Sequence, residues 1–464
     1  MAKSPPPIVY IFLAIGLGFG GWYLYQSGQL PGIPTISLPF GGGGSSALLL
    51  SSGETLLFAT PSNPNKTAAV ELIQLERIDT AIPLLEVAVQ SDRNDPETLI
   101  YLNNARAIQQ GDPLVLAVVV PVSSNPDRAK ETLRGVAYAQ AQFRQQGGLA
   151  GRLLQILIVD DGDDPELAKT VAEGLVRRSN VLGVIGHNSS GATIAAAEVY
   201  QAAGLPMISS TSTSSAISSL GDAIFRVVPS DQIAGTQLAR YALNTLQTRR
   251  AAILYNPNSA YSNSLRTAFS TTINTEGGVI ITEVDLSSQG LNPASILQQV
   301  VNQQAEVIFM APDNATAPQA RELMRVNRSQ PQPLALLGGD VLFSFATLQE
   351  GSSAQGLVVA IPWHPSIPAN QGYAQAAERQ WGGQVSWRTA LGDDATRAFL
   401  TALTSNPSRA GIRAALSDPN FSLNSASGSL RFLPSGDRDA PNVLVKVEPG
   451  SRSGTGFDFV PALP

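Results

Sequence analysis

The chain has 464 residues, room for about three domains or one large two-lobed unit with additions. Charged residues make up only 14%, the net charge is −6, and 5 of the 30 basic residues are lysine, which argues against a nucleic-acid partner, since that needs a basic face. Zero cysteine excludes disulfides, thiolate metal sites and cysteine nucleophiles, and two histidines, His187 and His364, are too few for a multi-histidine metal centre; no metal or other cofactor is expected.

Ile8 to Tyr25 is an uncharged apolar run. As a helix it would be about 27 Å long, close to the thickness of a bilayer core. Lys3 precedes it and the next basic residue is Lys66, so the positive-inside rule puts the terminus in the cytoplasm and the rest outside. Residues 1–25 therefore read as a cytoplasmic tip and a transmembrane anchor. Cleavage as a signal peptide is the rival reading, but Gly18-Phe19-Gly20 followed by Trp22 is a poor cleavage site. The G-x-G-x-x-G match at Gly16–Gly21 has no strand before it and is accidental.

Residues 26–53, rich in Gly, Pro and Ser, read as a linker. Residues 54–113 read as a helical segment: Ile78–Val89 is amphipathic, and Asp95-Pro96 caps and opens a further helix. Ala81, Leu85, Ala88 and Leu102 occupy the small and large positions of a tetratricopeptide repeat, which this stretch resembles over one and a half repeats. Arg93 and Asn103 depart from the motif. So few repeats do not make a stable stack. The piece must pack on the main domain, on a second copy or on a protein partner.

Residues 114–464 form the main domain. Leu114–Val122 and Leu153–Asp160 are continuous apolar runs, the mark of strands buried on both faces. Helices are predicted at Asp127–Gln145, from Pro165 to Arg178, at Ser190–Ala203, Gln232–Leu246 and Tyr261–Thr275. Further strands are predicted at Val181–Gly186, Pro206–Ser209, Ala251–Tyr255, Val279–Asp285, Val307–Met310 and Leu334–Leu337. This βαβ alternation, run twice, predicts an α/β fold with two doubly wound parallel sheets. Ser427–Phe432 and Asn442–Glu448 read as a hairpin around Ser435-Gly436-Asp437.

Ligands of such sheets bind at the carboxyl ends of strands. The residues there are Ser123-Ser124-Asn125, the run His187 to Thr193, the run Ser209 to Ser214, and Gly338-Gly339-Asp340. Three of these loops offer hydroxyls and helix-start N–H groups, which suit a carboxylate. The fourth offers a carboxylate, which suits a cation. Groups for both ends of a zwitterion, facing one cleft, describe a receptor for a free amino acid. Helix capping is the simpler role of each loop taken singly. The cluster Asp160, Asp161, Asp163 and Asp164 is likewise explained by a strand end and a helix cap. No nucleophile elbow or phosphate loop is present, and the chain is not expected to be an enzyme.

From Leu114 onward the sequence resembles the type I periplasmic binding proteins, in particular the leucine/isoleucine/valine-binding receptors of ABC importers. The segments Val184–Thr193 and Gly204–Thr213 carry the resemblance. It implies two lobes joined by three crossovers at a hinge that closes on ligand. It also implies a periplasmic location, an ABC permease as partner, and roles for particular residues. Ser190 would bind the ligand carboxylate, and Thr213 both the carboxylate and the ammonium. The main-chain oxygen of Thr211 and the side chain of Asp340 would take the ammonium, and Tyr261 would line the second lobe. The departures lie in the side-chain pocket. Arg128 stands where the family often has an aromatic, Asn188 and Ser189 replace apolar residues, and Asp313 and Asn314 fall near an aromatic pair. Asp393-Asp394-Ala395 stands where Tyr-Asp-Ala is common. They imply a polar or acidic amino acid, or broad specificity. Two other functions compete: a non-transport envelope regulator of the kind that activates a peptidoglycan synthase, suggested by helical repeat plus binding fold, and a ligand sensor. Retention of Ser190, Thr213 and Asp340 favours a working amino-acid cleft.

Overall fold

Seven consecutive buried residues, Leu114–Val120 (β2), form the centre of the first sheet. The computed structural model describes residues 48–58 and 63–462. The expected membrane helix and the linker up to residue 47 lie outside the described residues. Among the described residues no helix is long and apolar enough to cross a membrane.

The chain opens with β1 (Leu50–Ser51), α1 (Pro64–Gln74), α2 (Ile78–Ser91) and α3 (Pro96–Gln110). After β2 come α4 (Pro126–Gln145), β3 (Leu154–Asp160), α5 (Pro165–Val176), β4 (Val181–Ile185), α6 (Ser190–Ala203), β5 (Met207–Ser209) and β6 (Ile224–Arg226). The sheet order is β1-β3-β2-β4-β5-β6, parallel except for β1. This is lobe one. The linker expected to reach Gly53 ends earlier, because Leu50 and Ser51 pair with Val159 and Ile158 as an edge strand.

Lobe two holds α7 (Asp231–Arg240), β7 (Arg250–Tyr255), α8 (Ala260–Thr275), β8 (Val279–Asp285), α9 (Pro293–Asn302), β9 (Val307–Ala311), α10 (Ala317–Arg328), β10 (Ala335–Gly338), α11 (Phe345–Leu348) and β11 (Val358–Ile361). The helix expected over Gln232–Leu246 changes to a π turn at Tyr241–Thr245. The chain then returns to lobe one for α12 (Gln371–Trp381), α13 (Trp387–Leu403), which packs along α4, α14 (Arg409–Leu416), and the small pair β12 (Leu423–Ser425) and β13 (Gly428–Leu430). It ends in lobe two with β14 (Val443–Pro449) and β15 (Phe457–Pro461). The second sheet has the order β15-β14-β11-β10-β9-β7-β8, with β14 and β15 antiparallel to a parallel core.

The hairpin expected between Ser427–Phe432 and Asn442–Glu448 does not form. Strand β13 pairs back onto β12, and β14 pairs with β11 and β15. The two segments belong to different lobes, and the stretch between them is the last of three crossovers. Its turn presses on lobe one. Gly436 has φ +77°, and a Cβ there would lie 2.1 Å from the Ile224 carbonyl oxygen.

Two arginines tie the first and last crossovers together. Arg226 Nε donates to Asp437 at 2.6 Å and Nη1 to the Ser214 carbonyl at 2.7 Å. Arg438 Nη1 donates to the Val227 carbonyl at 3.0 Å and pairs with Asp394 at 3.1 Å, both side chains being buried. Asp394 thus belongs to the hinge and not to the ligand wall.

The N-terminal helices pack on one another in sequence, and the last of them, α3, is also built into lobe one against α4 and β3. Ala81, Leu85 and Ala88 are the buried face of α2. In α3, buried Asn104 donates to the carbonyls of Ser52 (2.8 Å) and Ile156 (2.7 Å). It accepts from Ile156 N–H and Gln140 Nε2, each at 2.8 Å. One amide thereby joins β1, α3, β3 and α4 with both its donors and its acceptor used.

Removing one partner of a buried ion pair leaves an uncompensated charge and costs about 3–5 kcal/mol. We expect Asp394→Ala to lose that much stability in urea unfolding; a loss below about 1 kcal/mol would contradict the structural role given to the Arg438–Asp394 pair.

Candidate ligand-binding cleft

Strand order reverses between β2 and β4 in lobe one and between β7 and β9 in lobe two. At such switch points the loops leaving neighbouring strands part and open a crevice. The candidate site is where the two crevices face each other.

In lobe one, the loop after β4 is organised around the main-chain carbonyl of His187. That oxygen accepts from the hydroxyls of Thr193 (3.3 Å), Ser209 (3.1 Å) and Ser212 (3.1 Å). The fully buried ring is held by Asp161 at Nδ1 (2.7 Å) and Tyr200 at Nε2 (3.0 Å). Asp161 accepts at Nδ1 as a carboxylate, so Nδ1 carries the proton and Nε2 accepts from the Tyr200 hydroxyl. Ser189 caps α6, its hydroxyl accepting from Ala192 N–H. Helix α6 therefore starts at Ser190, and its first N–H groups point out of the helix end. Ser190 Oγ accepts from Ser214 N–H at 3.2 Å, which brings Ser190 beside Thr213. Thr211 Oγ1 donates to the Asn188 carbonyl at 2.8 Å.

In lobe two, Asp340 follows β10 and Tyr261 lies in the first turn of α8. The two approach because residue 339 is glycine: a Cβ there would lie 2.2 Å from the Tyr261 hydroxyl. Thr213, Asp231, Leu265, Gly339 and Asp340 line one small cavity between the lobes. The polar side chains here meet mainly one another, the Tyr261 hydroxyl against the Asp340 carboxyl and the Thr213 hydroxyl against the Asp231 carboxyl, and none of Thr213 Oγ1, Asp231 Oδ2 and the Tyr261 hydroxyl has a hydrogen bond of regular geometry. Burial pushes the Asp231 carboxyl up to about 7 and also raises Asp340. The Tyr261 phenol is raised well above its usual value by burial and by the charges of Asp340 and Asp231. Two carboxylates and two hydroxyls with unused capacity make a receptor for an ammonium group. The start of α6 beside Ser190 makes a receptor for a carboxylate.

Asp231 is the residue that sequence reasoning missed. It opens α7 immediately after the first crossover, and its N–H donates to the Thr213 carbonyl at 2.8 Å. Scanning the residues beside each crossover, as well as the strand ends, would have found it.

The remaining predicted residues divide. Arg128 is held in the first turn of α4 by the Asn125 cap and reaches across to Asn314 of lobe two. Asn188 Nδ2 donates to both oxygens of Asp163, at 3.1 and 2.9 Å, and Ser189 N–H donates to the same carboxylate at 3.1 Å. Asp313 faces inward to its own lobe, accepting from Asn256 (2.8 Å) and the Thr316 hydroxyl (2.7 Å). Its carboxylate is consumed in shaping the crevice between β7 and β9. The aspartates at 160–164 act separately: Asp160 accepts from Ser123 and Gly162 N–H, Asp161 holds His187, and Asp164 caps α5. Among the described residues no cluster of three or more acidic or histidine side chains is suited to a metal ion.

Known proteins share this architecture. The family model described as periplasmic binding protein matches residues 113–448. A protein of Pseudomonas aeruginosa named amino acid binding protein is 26% identical over 219 residues, 47% of this chain and 58% of that protein. The Leu/Ile/Val-binding protein of Escherichia coli is 26% identical over 297 residues, 63% of this chain and 79% of its own length. The crystal structure of an ABC transporter substrate-binding protein from Desulfitobacterium hafniense in complex with Leu superposes with a TM-score of 0.65. It is 25% identical, and the match covers 75% of this chain and 100% of that one. The family consists of solute-binding proteins and not enzymes. With two facing switch-point crevices, three crossovers and a family match over most of its length, the chain belongs to the periplasmic binding proteins.

Proposed function

We propose that the chain is an extracytoplasmic receptor for a free amino acid, delivering it to an ABC importer while tethered by the apolar run Ile8–Tyr25. One observation carries the reading: the Thr213 hydroxyl, the Asp231 carboxylate oxygen and the Tyr261 hydroxyl gather around Asp340, across from the start of α6, buried and without hydrogen bonds of regular geometry. Buried polar groups are normally paired, and a bound zwitterion would pair these. Its α-ammonium would sit between Asp340 and Asp231, with Thr213 and the Thr211 carbonyl oxygen completing its shell. Its α-carboxylate would accept from Ser190 and the N–H groups of the first turn of α6. The names and ligand of the relatives, Leu/Ile/Val and Leu, agree with this ligand class.

The envelope-regulator reading rests on the domain order, a helical repeat followed by the binding fold, with a cleft that need not bind a ligand. Asn104 and its partners join that segment to lobe one, which favours the helices acting as part of the lobe. A tether also suits a receptor, because it raises the local concentration near a permease.

A ligand that binds only the folded state raises the melting temperature. Screening the full-length protein against the twenty amino acids should give a clear shift with one chemical class. Asp340→Ala should weaken binding of that class by about 2–5 kcal/mol, since it strips a buried charge of its partner. An unshifted melting temperature with every amino acid, on ligand-free protein, would overturn the receptor reading.

Affinity should also depend on pH. The Asp231 carboxyl, raised to about 7 from its ordinary 3.8, must lose its proton before it can pair with an ammonium. Binding should therefore weaken as pH falls through 7, by about tenfold per unit below it. The same shift makes the empty protein less stable as pH rises from 4 to 7, because the folded state holds a proton that the unfolded state has lost. A dissociation constant that is flat between pH 5.5 and 8 would remove Asp231 from the ammonium site.

A further inference from the structure

We propose that the cleft selects an amino acid whose side chain itself ends in a carboxylate, and that Arg128 is the residue that reads it. This inference rests on the receptor reading above and names the ligand class within it.

The argument starts from charge balance. Two guanidinium groups, Arg128 and Arg388, act on each other and on Asp340 at this end of the cleft. Arg388 is buried, lies over the Trp387 ring with 4.2 Å to its centroid, and pairs with Glu131 at 3.3 Å. Its charge is matched. Arg128 is not matched. Its side-chain hydrogen bond goes to a neutral amide, Asn314, and among the described residues no carboxylate lies within ion-pair distance of it. The nearby acids are already engaged. Asp163 accepts from Asn188 and from Ser189 N–H, Glu131 from Arg388 and Ser386, and Asp340 faces the ammonium site.

The Arg128 side chain is partly exposed, and a guanidinium partly drawn from water beside Arg388 without a counter-ion carries a cost. Burial, with the charge of Arg388 behind it, lowers Arg128 to about 10. A ligand carboxylate would remove that cost and can accept two parallel N–H bonds from the guanidinium. Because Arg128 stands on lobe one and meets Asn314 on lobe two, the same contact spans the cleft. A dicarboxylic ligand would then be sensed at both ends: the ammonium by Asp340 and Asp231, the distal carboxylate by Arg128. A carboxamide of equal shape would fill the space and leave the charge unmatched.

The test is calorimetric titration of the ligand-free full-length protein with glutamate, aspartate, glutamine and leucine. The expected result is that glutamate or aspartate binds at least tenfold tighter than glutamine and leucine. Arg128→Gln should bring the glutamate-to-glutamine ratio close to 1, and Arg128→Lys, which keeps the charge but not the two parallel bonds, should retain only part of the preference. The parent's own ratio decides the matter even if a variant folds poorly. Glutamine or leucine binding as tightly as the dicarboxylic acids would overturn the assignment and leave the receptor reading standing. An unchanged ratio in Arg128→Gln would overturn it too, reducing Arg128 to a cross-cleft brace. Failure of every amino acid to bind would sink the receptor reading, and this inference with it.

Discussion

The carbonyl oxygen of His187 is the point on which lobe one's rim is built. Three hydroxyls, from the first turn of α6, the end of β5 and the loop after it, converge on it within 3.3 Å, and its ring is fixed by Asp161 and Tyr200 without reaching solvent. Hydroxyls spent there cannot bind a ligand, and they are not the ones proposed to do so. The loop after β5 that folds on His187 presents Thr213 beyond it, with its hydroxyl in no hydrogen bond of regular geometry. A fully bonded base thus holds poorly bonded groups in place. Preorganisation of this kind lowers the ordering cost of binding.

The same division runs through the whole molecule. Several polar groups serve the fold: Asn104 uses its amide fully, Asp313 braces the crevice between β7 and β9, and Arg226 and Arg438 lash the crossovers. Even the N-terminal helices carry a closed arrangement, in which buried Lys66 meets Asp95 at 2.6 Å and Glu97 at 2.5 Å. What distinguishes Thr213, Asp231 and Tyr261 is that three such poorly bonded polar atoms converge beside Asp340 at the cleft, where leaving buried polar groups ill-paired costs about 1–3 kcal/mol each. A ligand ammonium would offset that cost.

Much of this was legible in the residues. Strands buried on both faces announce themselves as unbroken apolar runs, so β2 and β3 could be read directly. Asp-Pro and Asn-Pro pairs mark helix starts through local capping chemistry, and α3, α4 and α5 begin where those pairs stand. Strand ends could then be scanned for Ser190, Thr213 and Asp340. What the residues did not show was non-local. The segments around 430 and 445 each have strand character, but which edge they join depends on the path between lobes. Asp231 looks like any helix-opening acid until a crossover buries it. Arg128 follows β2 and Asp313 follows β9, both near the carboxyl ends of strands, and only packing decides that Asp313 turns inward and Arg128 spans the cleft.

The central claim is that one bound zwitterion satisfies the poorly bonded groups of both lobes. A crystal structure of the protein with its tightest-binding amino acid tests this directly. The account predicts the α-ammonium within about 3 Å of carboxylate oxygens of both Asp340 and Asp231, and the α-carboxylate at Ser190 and the start of α6. A ligand bound elsewhere, or one whose ammonium touches neither aspartate, would contradict it.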